Sequence, residues 1–76
     1  MKMDMFCKIM NRIWDYAAEQ GVDLCDVKVR IHMIDGKSLL IRNGFYDRYY
    51  DYIEVTIPEE ETTHFIPIEN IVSIEI

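Results

Sequence analysis

Residues 55–76, VTIPEEETTHFIPIENIVSIEI, decide how this chain is read. They hold short apolar runs separated by an acidic turn and a proline, and the last two runs read as strands that close a small barrel. Pro58 followed by Glu59, Glu60 and Glu61 marks an exposed turn, because three adjacent carboxylates are costly to desolvate. Residues 62–66 then form a strand, residues 67–70 make a single tight helical turn, and residues 71–76 are the final strand.

Working outward, Ile53, Val55 and Ile57 alternate with Tyr52, Glu54 and Thr56, which is the period of a half-buried strand. Before it stands FYDRYYDY, residues 45–52, with five aromatic rings, two aspartates and an arginine. This octet is expected to join two strands. Further back, Val27, Val29, Ile31 and Met33 alternate with Lys28, Arg30 and His32, another strand. Asp35 and Gly36 then signal a hairpin, and a return strand over residues 37–42 runs into Asn43 and Gly44, where a sharp bend is expected.

The period changes near the N-terminus. Met3, Phe6, Ile9, Met10, Ile13 and Ala17 fall at the three-and-four spacing of one helical stripe, widened by Trp14, with Lys8, Asn11, Arg12, Asp15 and Glu19 opposite. Asp4 is the expected N-cap and Gly21 the left-handed stop, so the helix runs over about residues 5–20, within an amphipathic segment 4–21. The whole is expected to be one domain over residues 1–76, mainly β with one N-terminal helix. Residues 26–76 form a small bent five-stranded barrel of the SH3 or Sm type.

A chain of 76 residues leaves a marginal core, which makes self-association an expected supplement. Half of it is hydrophobic and 29% charged, so it is globular, and no apolar run approaches the roughly 20 residues of a membrane helix. The N-terminal residues lack the apolar core of a secretory signal, and the expected location is the cytoplasm. Cys7 and Cys25 are too few for a disulfide framework, and with His32 and His64 they lack the paired spacing of a zinc site. No metal or cofactor is expected.

Net charge is −6, and residues 1–52 are neutral while residues 53–76 hold six glutamates and no base. Such a balance opposes non-specific binding to nucleic acid, although a basic patch within residues 28–48 remains allowed. There is no spacing for a Ser-His-Asp arrangement, no nucleophile elbow, no glycine-rich phosphate loop and no metal triad, and the chain is read as not an enzyme.

This succession of elements resembles the Sm-like family, particularly its bacterial Hfq-type members. In that family an N-terminal helix precedes five strands, an Asn-Gly turn joins the first two, and a Phe-Asp-x-Phe segment leads into the third. Here Asp35 and Gly36 stand at the turn, Tyr46-Asp47-Arg48-Tyr49 follows at the matching distance, and Ile71-Val72-Ser73-Ile74 is similar to the family's final Ala-Ile-Ser-Thr run. Three positions depart. Ile41 replaces the glycine that bends the second strand, Ile68-Glu69-Asn70 replaces the Tyr-Lys-His group that contacts uridine-rich RNA, and Arg48 replaces a glutamine beside the stacking aromatic. The resemblance implies a ring whose neighbouring subunits pair through the last two strands, with Tyr49 in the stacking position and His32 where a second RNA face carries an aromatic.

Two functions follow. In the first, a non-catalytic homo-oligomer binds RNA or a small nucleotide, with Tyr49 and Arg48 sandwiching a base and Lys28, Arg30, His32 and Arg42 adding cations. Packing is the competing role for the aromatics, and a plain strand surface for His32. In the second, an acidic interaction module presents Glu59, Glu60 and Glu61 to a basic protein surface, as a small regulator or phage-type inhibitor does.

Overall fold

The computed structural model describes residues 1–42 and 46–76, residue 46 for its backbone alone. Strand β1 (Lys28–Met33) buries Val29 and Ile31 and turns Lys28, Arg30 and His32 outward, as its alternation requires. It returns as β2 (Ser38–Arg42), in antiparallel register from Lys28 opposite Arg42 to His32 opposite Ser38. The intervening loop is the expected hairpin. Gly36 adopts φ +85°, the Asp35 carboxylate accepts from the Lys37 N–H at 3.0 Å, and the Met33 N–H donates to the Lys37 carbonyl at 2.8 Å.

Strand β3 (Tyr46–Arg48) pairs with β4 (Tyr52–Ile57), and β4 pairs on its other edge with β5 (Thr62–Pro67). The octet at residues 45–52 was expected only to connect strands, but its first half is itself a strand. Aromatic and β-branched residues favour a pleated surface, and Arg48 falls opposite Ile53 in the ladder. The link from β4 to β5 is the expected acidic turn: Pro58–Glu60 is a 3-10 turn, closed by Glu61 at φ 54°. The final strand, β6 (Ile71–Glu75), lies along the free edge of β1, with a register slip between His32 and Met33.

Among the described residues the strands therefore number six rather than five, in two three-stranded antiparallel sheets ordered β2-β1-β6 and β3-β4-β5. Among the described residues no strand pairing joins the two sheets, so the expected closed barrel is not formed. The expected bend at Asn43 and Gly44 lies outside the described residues. The sheets are instead tied by the 3-10 turn Ile68–Asn70, the single helical turn read from the sequence. The Ile68 N–H donates to the Asp51 carbonyl at 2.9 Å, and the Ile34 N–H donates to the Asn70 carbonyl at 2.8 Å.

Helix α1 (Met3–Gln20) buries Phe6, Ile13 and Ala17 in the same core as Ile53, Val55, Ile66, Ile68 and Ile71. Its stop is as expected, with Gly21 at φ 66° and the Val22 N–H bonded to the Ala17 carbonyl at 3.1 Å. Its start is not. Lys2, not Asp4, is the N-cap, without a side-chain cap, and Asp4 sits in the first turn, where its charge still complements the helix dipole. Trp14 does not widen the buried stripe either. It lies about 100° around the helix from Ile13 and is 64% exposed.

Candidate functional site

The turn between β3 and β4 sets the geometry. Because β3 is a strand, Arg48 and Asp47 leave it on opposite faces, Arg48 opposite the buried Ile53 and Asp47 opposite Glu54 on the outer face. The Arg48 guanidinium turns to the helix, where Nη1 lies 3.0 Å from Cys7 Sγ and 3.5 Å from Met3 Sδ. The Tyr49 ring turns elsewhere. It stacks on Tyr52 with centroids 5.0 Å apart and planes 13° from parallel, while the Tyr49 N–H donates to the Tyr52 carbonyl at 2.9 Å. A sandwich of Tyr49 and Arg48 around a base is thus not assembled in this arrangement.

The stack is instead surrounded by acid. The Glu54 carboxylate holds the Tyr49 phenol above its ordinary pKa, with smaller contributions in the same direction from burial, Asp47, Tyr52 and a hydrogen bond with Glu54. A surface that resists placing negative charge on Tyr49 resists a phosphate for the same reason. Asp47 and Glu54 are also direct cross-strand neighbours of like charge, a pairing that weakens a sheet. Local rules of this kind are broken most often where a surface serves something other than stability.

Next to the stack opens a cleft of about 700 Å³ between the β3–β4 turn, β5, the 68–70 turn and the start of the helix. Tyr50, Tyr52, Phe65 and Met3 give it apolar walls, and Asp51 and Glu69 stand at its rim. Tyr50 is 91% exposed and Phe65 65%, so large aromatic surfaces face solvent here. The Met1 ammonium, at the same cleft, donates to the backbone carbonyls of Glu69 and Ile71 at 3.2 and 2.7 Å.

The cations gather on the other sheet. Lys28 is opposite Arg42, and Arg30 and His32 follow Lys28 on the same outer face of β1. Glu75 of β6 lies 3.6 Å from Arg30 Nε and 2.8 Å from His32 Nε2, and among the described residues no salt bridge forms at Lys28 or Arg42. Glu59 and Glu60 line a smaller cleft, of about 340 Å³, together with Lys28 and Arg42. Two of the three glutamates therefore share a cleft with the chain's own cations. Cys7 and Cys25 are free thiols, and among the described residues no three His, Cys, Asp or Glu side chains are placed to hold a metal ion.

Comparison of the chain with protein-family models, with curated proteins and with solved structures finds no match. The site is accordingly defined by its own chemistry. Sequence reasoning identified Tyr49 but missed Tyr52 as its partner, Asp47 and Glu54 as its neighbours, and Phe65 as part of the same face. The signal was present in two tyrosines three residues apart across a turn, with an acidic residue two positions beyond each and so on the same strand face.

Proposed function

We propose that this chain is a non-catalytic binding protein that engages a basic protein surface through the acidic, aromatic outer face of β3, β4 and β5. One observation carries this reading: the Tyr49–Tyr52 stack lies beside Glu54 and Asp47, whereas Arg48 leaves β3 on the opposite face toward Met3 and Cys7 and the strand cations lie on the other sheet. A nucleotide site needs its aromatics and cations together. A lysine or arginine side chain needs the reverse, with its methylene stem along an aromatic face and its charge among carboxylates. Asp47, Glu54, Asp51 and Glu69 take the partner-facing role that the sequence assigned to Glu59, Glu60 and Glu61.

The observation favouring the other reading is that Lys28, Arg30 and Arg42 share one face of the first sheet. RNA or a small nucleotide would lie there rather than at Tyr49, without a stacking ring and against the local charge of Glu75. The Sm-like architecture belongs with that reading. Its support is the strand order, in which β6-β1-β2 is followed in sequence by β3-β4-β5, and the outer edges of β5 and β6 are the ones a ring would pair. No described helix is long and apolar enough to cross a membrane.

The test is fluorescence anisotropy with two labelled probes, a lysine- and arginine-rich peptide and a uridine-rich RNA oligomer, at low and high salt. The expected result is salt-sensitive peptide binding that is lost in an Asp47→Lys, Glu54→Lys double variant, with no RNA binding. RNA binding that disappears in Lys28→Glu and Arg42→Glu, with the peptide unbound, would overturn the proposal.

A further inference from the structure

Helix α1 carries a second stripe of apolar and small residues at the margin of the one the core uses. Trp14 is 64% exposed and Ala18, one turn on, is exposed, while Met10 and Cys7, one and two turns before Trp14, are half-buried, Met10 against the core and Cys7 beside Arg48. Cys7, Met10, Trp14 and Ala18 follow one another at spacings of three and four and so form a ridge beside the buried one, with Trp14 and Ala18 as its exposed part. Ala18 contributes little bulk, which lets another backbone approach. Nothing of this chain's own described fold covers Trp14.

Charge along the helix says what does. The stripe is flanked by Lys8 in the first half and Asp15 in the second, both exposed. Arg12 and Glu19 repeat this polarity further around and are joined to each other at 3.5 Å. A parallel companion of the same sequence would set lysine against lysine and aspartate against aspartate. An antiparallel one sets Lys8 against the opposing Asp15 on both sides of the crossing, and opposes the two helix dipoles. In that register the indole of one copy arrives over Cys7 and Met10 of the other. Arg48 already lies there, 3.0 Å from Cys7 Sγ, with its guanidinium exposed to receive an aromatic face.

We propose that the chain forms a two-fold dimer in which α1 packs antiparallel on α1 of a second copy, with Trp14 as the buried anchor and Lys8 paired to the opposing Asp15. The interface is independent of the acidic cleft and of the edges of β5 and β6. Each indole is 64% exposed, so the two add on the order of 200–300 Å² of newly buried surface, and even with their small neighbours the interface falls below the roughly 1,200 Å² of stable specific ones, so the dimer dissociates on dilution.

The full chain is studied by sedimentation velocity across a dilution series, together with the emission of its single tryptophan. The expected result is a concentration-dependent shift from monomer to dimer, accompanied by a blue shift of Trp14 emission. Trp14→Ser is expected to remain monomeric with an unchanged circular dichroism melt. Lys8→Glu should weaken association by about tenfold, since two exposed ion pairs become repulsive, and Lys8→Glu with Asp15→Lys should restore it to within about threefold. A wild-type chain that stays monomeric throughout would overturn the proposal. So would an oligomer indifferent to Trp14→Ser, which would move assembly to the strand edges, or a double charge swap no better than the single one.

Discussion

Replacing Glu54 by Gln tests the electrostatics of the acidic face with little change of shape. Glu54 stands directly opposite Asp47 on the outer side of the β3–β4 ladder, is half-buried, and is the foremost cause of the raised Tyr49 pKa. Like charges directly opposite cost about 0.2–1 kcal/mol, and partial exposure places this pair toward the lower half of that range. The amide keeps an acceptor for the Tyr49 hydroxyl. Glu54→Gln should therefore stabilise the chain by about 0.3–0.5 kcal/mol, a rise in Tm of about 2–3 °C for a domain of this size. The gain should fade in 0.5 M salt, where screening already removes most of the repulsion.

The same substitution should lower the Tyr49 pKa toward the ordinary tyrosine value, read as phenolate absorbance in an alkaline titration. The raised folded-state pKa means that its contribution to stability is fully present below the unfolded value and is lost as pH rises through the folded value. Wild type should therefore lose more stability than Glu54→Gln across that alkaline window. Affinity for the basic peptide should meanwhile fall about fivefold, from the loss of about 1 kcal/mol of Coulombic attraction. A Glu54→Gln variant that is destabilised by more than about 1 kcal/mol, or whose tyrosines titrate as in wild type, would refute the account of this face.

Ile53 is fully buried near the start of β4, so Ile53→Ala should cost about 2–5 kcal/mol in a urea melt, enough to leave so small a domain largely unfolded. Glu61 holds φ 54° at the end of the acidic turn, and Glu61→Gly should stabilise by up to about 1 kcal/mol in the same melt by removing the left-handed penalty. Glu59→Gln with Glu60→Gln, on the turn facing Lys28 and Arg42, should leave peptide affinity within about twofold of wild type, because those carboxylates lie away from the aromatic stack.

Local periodicity made much of the fold legible. The alternation of Val27, Val29 and Ile31 with Lys28, Arg30 and His32, the Asp35-Gly36 turn, β4 from Tyr52 to Ile57 and the stop at Gly21 all follow from residues within one element. The candidate site was only half legible. Treating residues 45–52 as a connection allowed Arg48 and Tyr49 to be placed together, whereas a strand at that point sends its neighbouring side chains to opposite sides. Trp14 likewise satisfies a helical stripe on paper, yet the core takes the ridge of Phe6, Ile13 and Ala17.

What the sequence by itself determined is the kind and order of the elements other than β3 and the polarity of those strands' two faces, because a period of two or of 3.6 is a property of a few consecutive residues. What only the tertiary structure decided is which faces meet. The pairing of β3 with β4 puts Asp47 opposite Glu54, the division into two sheets parts the cations from the aromatics, and the seating of the helix leaves Trp14 outside. Each of these depends on contacts between residues distant in the chain, and such contacts are set by the packing of the whole core rather than by any local pattern.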